Sequence, residues 1–273
     1  MTTRNVFQIY LSDSGEIAPK IRACMQSIQE STPGYHYRRY DQSGLRAFIQ
    51  ENFPAGVLAA YDALRPYAYK ADLGRYCLLF HFGGWYADAT VVLQSELPDT
   101  EGYRHVLFRD APRDYMRPKE LSNSLLYAEA GSKVLETAIA LIVENCRTRN
   151  FGEGPLDPTG PGLLDRALNL CSSDLMALTG RYMPLTPDHP RKNYAFLLPE
   201  GTILAWGKVT HGTSAPDGLR AFKAAGTNSY NLLWERGLVY VQPHAGKRHW
   251  ESASHIVRTL VRRILRKLGV LRS

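Results

Sequence analysis

The segment that most constrains the fold of this chain is residues 68–93. There a stretch of helical character, AYKADLGRYCLLFHF, runs into Gly83-Gly84 and then into WYADATVVL. Leu73, Cys77 and Phe80 recur at helical spacing, which predicts a helix over 68–82. The glycine pair ends it, because glycine tolerates the backbone angles a tight exit needs. The nine residues that follow are rich in β-branched and aromatic side chains, which predicts a strand. Alternation along it would place Tyr86, Asp88 and Thr90 on one side and Ala87 and Ala89 on the other.

This helix–turn–strand sits inside a longer alternation. Residues 5–11 read as a buried strand, Ile17, Ile21, Met25 and Ile28 mark a helix, and Thr32-Pro33-Gly34 breaks it. A second strand follows at Tyr35–Tyr40, then a helix around Leu45, Phe48 and Ile49. A β-α-β-α opening is the pattern of an α/β domain with a largely parallel sheet. Further along, strands are expected at 105–108, 124–127, 195–198, 202–206 and 238–242. Helices are expected at 133–145 and 163–170.

A carboxylate in an apolar strand is costly to bury without a partner. Asp72 and Arg75, three apart on a helix, share a face. At a strand end of an open α/β sheet, such groups suit a divalent cation or sugar hydroxyls. On spacing alone they serve equally well as a surface ion pair, with Asp88 accepting hydrogen bonds from a turn.

The wider string carries a resemblance. Tyr69-Lys70-Ala71-Asp72-Leu73-Gly74-Arg75-Tyr76 followed by Gly83-Gly84-Trp85-Tyr86-Ala87-Asp88 resembles the sugar-binding region of DXD-motif glycosyltransferases. That family includes the yeast initiating α-1,6-mannosyltransferases, bacterial capsule and lipopolysaccharide transferases and, more distantly, the clostridial glucosylating toxins. Phe7-Gln8-Ile9, Thr32-Pro33-Gly34-Tyr35, Ser122-Asn123 and Thr159-Gly160-Pro161-Gly162 are similar to its other segments, so the likeness spans roughly residues 5–165.

The resemblance implies a GT-A-like fold, with a Rossmann-like nucleotide-binding half and a smaller, irregular acceptor-facing half. It implies hexose transfer from a UDP- or GDP-linked donor to a hydroxyl of a glycan or lipid-linked acceptor, mostly with retention. Asp88 and Arg75 would be catalytic. Gln8, Lys70, Asp72, Arg75, Gly84, Tyr86 and Asp88 would contact the donor, and Asp88 would help hold Mn²⁺ or Mg²⁺. The second motif acid is replaced by Thr90, a neutral and weaker oxygen ligand. Three ways round that loss follow: weak metal binding, a further ligand from His211, His244 or His249, or Lys70 and Arg75 stabilising the leaving group without metal. His244 is the candidate for the third ligand. The rival readings are a catalytically inactive sugar-nucleotide binder and a membrane-surface protein.

Charge bears on partners. The net charge is +7, but residues 252–273 hold six Lys or Arg and no acid. Taking those six from the 33 basic residues leaves 27 against 26 acidic ones, so the body, residues 1–251, is nearly neutral. That argues against nucleic acid as a partner. In the tail, Ile256, Val257, Leu260, Val261, Ile264, Leu265 and Leu268 form one helical stripe beside Arg258, Arg262, Arg266 and Lys267. A C-terminal basic amphipathic helix of this kind suits an anionic membrane surface. No apolar stretch of about 18 residues is present to cross a membrane. The expected location is therefore cytoplasmic, peripherally attached to the inner face. Cys24, Cys77, Cys146 and Cys171 lack metal spacing and read as packed thiols.

Overall fold

The computed structural model describes residues 4–110, 121–171, 176–185, 194–207 and 226–241. The elements run β1 (Asn5–Ile9), α1 (Pro19–Glu30), β2 (His36–Tyr40), α2 (Gln42–Asn52), α3 (Ala55–Ala63), α4 (Tyr67–Phe82), β3 (Gly84–Ala87) and β4 (Val92–Leu93). They continue with β5 (His105–Asp110), β6 (Leu121–Ala128), α5 (Lys133–Thr148), α6 (Pro161–Leu170), β7 (Ala177–Pro184), β8 (Tyr194–Leu197), β9 (Ile203–Gly207) and α7 (Tyr230–Glu235).

The nine strands among the described residues form one sheet in the order β2-β1-β3-β6-β5-β7-β8-β9-β4. The sheet is mixed, which corrects the expectation of a largely parallel one. Only β1 with β2, β1 with β3, and β5 with β7 pair in parallel; the other described pairings are antiparallel. Parallel neighbours require a crossover, and helices supply one at the start of the chain and again through α5 and α6. Strands β7, β8 and β9 extend the sheet of the first half.

The run 85–93 is not one strand. Its backbone turns at Asp88, where Val91 N–H donates to the Asp88 carbonyl at 2.9 Å. The chain then re-enters the sheet as β4 at the opposite edge, against β9. A four-residue turn links a central strand to a far edge, so the sheet curls. The curled face encloses Val6, Trp85, Ala87, Phe108 and Phe196. The other face packs Phe7, Ile9 and Tyr86 under the helices. Alternation puts Phe7 and Tyr86 on the helical side and Val6 and Trp85 on the curled side. Of the segment expected as a strand at 238–242, a single bridge between Leu64 and Tyr240 is described.

Helix α4 is the spine of the helical layer. It is buried on every side, from Tyr69 and Lys70 through Leu79, rather than along one stripe. Its charged residues are therefore interior groups that need partners. The glycine pair after it is set by close approach: a Cβ on Gly84 would lie 2.5 Å from the Asn5 carbonyl oxygen of β1, and Gly83 has φ of +64°. The tail 252–273 and His211, His244 and His249 lie outside the described residues.

Candidate donor site

Three charged side chains and one tyrosine meet where β3 ends. Arg75, on the third turn of α4, reaches Asp72 Oδ1 through Nη2 at 3.1 Å and Asp88 Oδ1 through Nη1 at 3.1 Å. Nη1 also donates to the Asn123 carbonyl at 2.6 Å, and Nε donates to the Ala71 carbonyl at 3.3 Å. The guanidinium lies 4.4 Å from the Tyr86 ring centroid, and the Tyr86 hydroxyl donates to Asp88 Oδ1 at 2.8 Å. Tyr86 thus contributes a cation–π face and a hydrogen bond at once.

Burial separates the two carboxylates. The side chains of Arg75 and Asp72 are 5% and 10% exposed, whereas that of Asp88 is 26% exposed. Asp72 is saturated. Its Oδ1 accepts from Asn123 Nδ2 at 2.9 Å and its Oδ2 from the Thr159 hydroxyl at 2.7 Å. Burial raises its pKa, against the opposing pull of Arg75 and Thr159. Burial alone would lower the pKa of Arg75, but Asp88, Tyr86 and Asp72 outweigh it and the net shift is upward. Arg75 is therefore a permanent cation. Asp88 is the group that faces outward. Both described side-chain bonds fall on Oδ1, leaving Oδ2 without a partner among the described residues.

The backbone of Asp88 is pinned too. Its N–H donates to the Ser124 carbonyl at 2.7 Å, and its carbonyl accepts from Gln8 Nε2 at 3.3 Å. The structure therefore brings Gln8, Asp72, Arg75, Tyr86 and Asp88 together, with Thr90 in the turn just beyond. It sets Lys70 and Gly84 apart. Lys70 Nζ donates to the Tyr61 carbonyl at 2.6 Å and lies 4.4 Å from that ring. It closes the C-terminal turn of α3, where carbonyls lack helical partners. Gly84 is filled by β1, as described above. Arg75 is likewise committed to protein acceptors, which makes it a positioning residue for Asp88 rather than a free cation for a leaving group.

Asn123 and Thr159 are members of the network that charge and spacing did not single out as site residues. Their segments resemble family segments, and that was the available signal. An uncharged residue on β6 or in a loop announces nothing about a carboxylate more than thirty positions away.

For a divalent cation, the described residues offer one outward carboxylate, Asp88, with the Thr90 hydroxyl two positions on. No group of three or more His, Cys, Asp or Glu that could hold a metal occurs among the described residues. Such a set fits a cation held largely by substrate phosphates, as Mg²⁺ commonly is, rather than a cage built by the protein.

Comparison with known proteins bears on this geometry. Residues 2–151 match the family described as capsular polysaccharide synthesis protein. This stretch is over half the chain and includes every member of the network except Thr159. The chain belongs to that family. A relative in Acanthamoeba polyphaga mimivirus, titled an uncharacterized glycosyltransferase, is 30% identical over 97 residues. Those residues are 36% of this chain and 39% of the viral protein, so the match spans well under half the length of that relative. A solved structure titled PaToxG Glycosyltransferase aligns with 63% of this chain and 72% of its own at 17% identity, with a TM-score of 0.45. Within the capsular polysaccharide synthesis family member described here, no helix among the described residues is long and apolar enough to cross a membrane.

Proposed function

We propose that this protein is a GT-A-like glycosyltransferase that moves a hexose from a UDP- or GDP-linked donor to a hydroxyl of a glycan or lipid-linked acceptor during surface polysaccharide synthesis. The observation that carries the reading is the outward carboxylate of Asp88, held at the end of β3 by the buried Arg75 and by Tyr86. A carboxylate fixed this way accepts hydrogen bonds from ribose or sugar hydroxyls without reorganising. Preorganised polar groups of this kind are a principal source of catalytic stabilisation.

In this reading Asp88 orients the donor through Oδ2, Tyr86 and Arg75 hold Asp88, and Asp72 with Asn123 and Thr159 holds Arg75. Gln8 fixes the backbone at the same point. A Mn²⁺ or Mg²⁺ ion bound by Asp88, Thr90 and the donor diphosphate would neutralise charge on the leaving group. His244 is a further candidate ligand. The families resembled are largely retaining, which carries the expectation of an α-linked product from an α-linked donor. Residues 1–251 would form the catalytic body, and residues 252–273 would attach it to an anionic membrane surface on the cytoplasmic side, where lipid-linked acceptors are presented.

The test is a thermal-shift and hydrolysis screen of UDP- and GDP-sugars, with and without Mn²⁺. Stabilisation by one donor together with release of its free sugar supports transfer. Stabilisation with no hydrolysis or transfer to any acceptor supports the inactive-binder reading instead.

A further inference from the structure

A groove on the other side of the sheet has no part in that reading. It lies between α1 and the edge strand β2 and has a volume of about 550 Å³. Met25 and Tyr37 line its inner wall, and Arg22, Gln26, Gln29 and Arg39 stand along it. The arrangement follows from two periodicities. On α1, positions 22, 26 and 29 fall on one face. On β2, Tyr37 and Arg39 pair in register with Val6 and Gln8, so they face α1. Arg38 takes the opposite face and stacks on Phe82 at 4.6 Å.

The charges along the groove are uneven. Glu30, the one acid in its lining, accepts from Gln26 Nε2 at 2.8 Å. Arg22 and Arg39 make no ion pair with a described residue. Arg22 makes one long bond to the Ile17 carbonyl at 3.4 Å. The neighbouring Asp41 is occupied in capping α2, accepting from Gly44 N–H and the Ser43 hydroxyl. Two guanidinium groups without an ion pair among the described residues, the Gln29 amide and a tyrosine ring around a ligand-sized hollow are suited to a ligand rich in hydroxyls and negatively charged. Amides serve hydroxyls, guanidinium groups serve carboxylates, and the ring offers an apolar face.

The groove is also wired to Asp88. The Tyr37 hydroxyl donates to Gln8 Oε1 at 2.9 Å, and Gln8 Nε2 donates to the Asp88 carbonyl. The Asp88 carboxylate turns to the helical face with Tyr86, whereas Tyr37 and Gln8 belong to the α1 face. One hydrogen-bonded path therefore joins two separate surfaces.

We propose that the α1–β2 groove binds an anionic saccharide, a stretch of acidic glycan, at a site distinct from the donor site. This rests on the glycosyltransferase reading for its biological sense, but the binding itself can be measured without turnover. The experiment is calorimetry on the full chain with an oligogalacturonate hexasaccharide, with uncharged cellohexaose as control and UDP as competitor. The acidic hexasaccharide is expected to bind at least about tenfold more tightly than cellohexaose, in keeping with charge-assisted hydrogen bonds. The double variant Arg22→Gln, Arg39→Gln is expected to lose at least tenfold of that affinity, with donor hydrolysis unchanged. The proposal is overturned by absence of binding, by equal binding of the two sugars, or by equal binding to the double variant, which would place the anion on another basic surface such as the tail. It is also overturned if UDP displaces the hexasaccharide competitively, which would make the groove part of the donor pocket. Absence of both donor hydrolysis and transfer, with intact, arginine-dependent binding, would sink the glycosyltransferase reading and leave the groove standing.

Discussion

Arg75 Nη1 lies 3.1 Å from Asp88 Oδ1, so a side chain almost wholly inside the protein grips the carboxylate that faces out of it. This inverts the simplest view of the pair as two catalytic groups. One is the tool and the other is its mount. Asp88→Asn retains an oxygen able to accept from Arg75 and Tyr86, so the fold should persist with an unchanged circular dichroism spectrum, at a lower melting temperature because the buried Arg75 loses one of its two carboxylate partners. Donor hydrolysis and transfer should fall at least ~10²-fold, the scale for removing one preorganised electrostatic contact. Near-normal turnover in this variant would remove Asp88 from the site.

The mount makes a separate prediction. Arg75→Met leaves the carboxylates of Asp72 and Asp88 without their shared cation. Deleting one partner of a buried ion pair typically costs about 3–5 kcal/mol, and the loss should appear in urea denaturation. Adding Asp72→Asn removes one uncompensated charge, so the double variant should be more stable than Arg75→Met alone. Additive losses would mean that the two residues are not coupled.

Thr90 sits two residues beyond Asp88, in the turn rather than on a continuing strand. A carboxylate there would add a charged oxygen ligand to a set that has one. Thr90→Asp should tighten Mn²⁺ binding in calorimetry performed with donor nucleotide present. Unchanged affinity would show that this turn does not face the cation. Full wild-type activity after exhaustive chelation would discard metal assistance altogether.

Much of this architecture was legible in the sequence because it is local. The helix over 68–82, the glycine exit and the carboxylate after it depend on neighbours in the chain. Asp72, Arg75, Tyr86 and Asp88 all stand in that one segment, and the structure joins them through Arg75, which pairs with Asp72 and Asp88 and lies against the Tyr86 ring. What could not be read is what the curl of the sheet decides. The strand expected through Leu93 breaks because β4 pairs with β9, a partner more than a hundred residues away. Helix α3, strand β7 and helix α7 carry no strong periodicity of their own. The resemblance implies a donor contact for Lys70, two residues before Asp72, yet on a helix that spacing points the side chains to different faces. Asn123 and Thr159 were noted only as parts of similar segments, since a hydrogen bond to Asp72 leaves no mark in composition.

The tail carries the membrane prediction. Six basic residues without an acid can each contribute about 1 kcal/mol near an anionic surface, and the apolar stripe adds burial to that. In liposome sedimentation the full chain should bind anionic vesicles and lose most of that binding at high salt. A chain ending at Ser252 should remain soluble, bind donor and stay in the supernatant. If the shortened chain sediments as well as the intact one, or unfolds, the tail is a structural element and the attachment fails.

Lys70 supplies a test that separates burial from function. Its ammonium is buried with a backbone carbonyl and a tyrosine ring for partners, and no carboxylate bonds it among the described residues. Burial lowers its pKa from the usual 10.5 to about 8. Between those two values the unfolded chain binds more protons than the folded one, so stability rises with pH across that window. Below about pH 8 the folded state carries the full cost of a buried charge; above about pH 10.5 it carries none. Lys70→Met removes the charge at every pH and loses the bond to Tyr61 at every pH. The difference in stability between the variant and the parent should therefore move in favour of the parent as pH rises from 7 to 10.5. The span is about 3 kcal/mol at most, from ~1.36 kcal/mol per pKa unit. Tyrosine ionisation in the unfolded state affects both proteins alike and cancels in the comparison. A difference that stays flat across that range in urea denaturation would mean that Lys70 keeps its proton throughout. Donor hydrolysis measured at pH 7 on the same variant decides its place in the site, because a residue that only closes α3 leaves the rate unchanged when it is replaced.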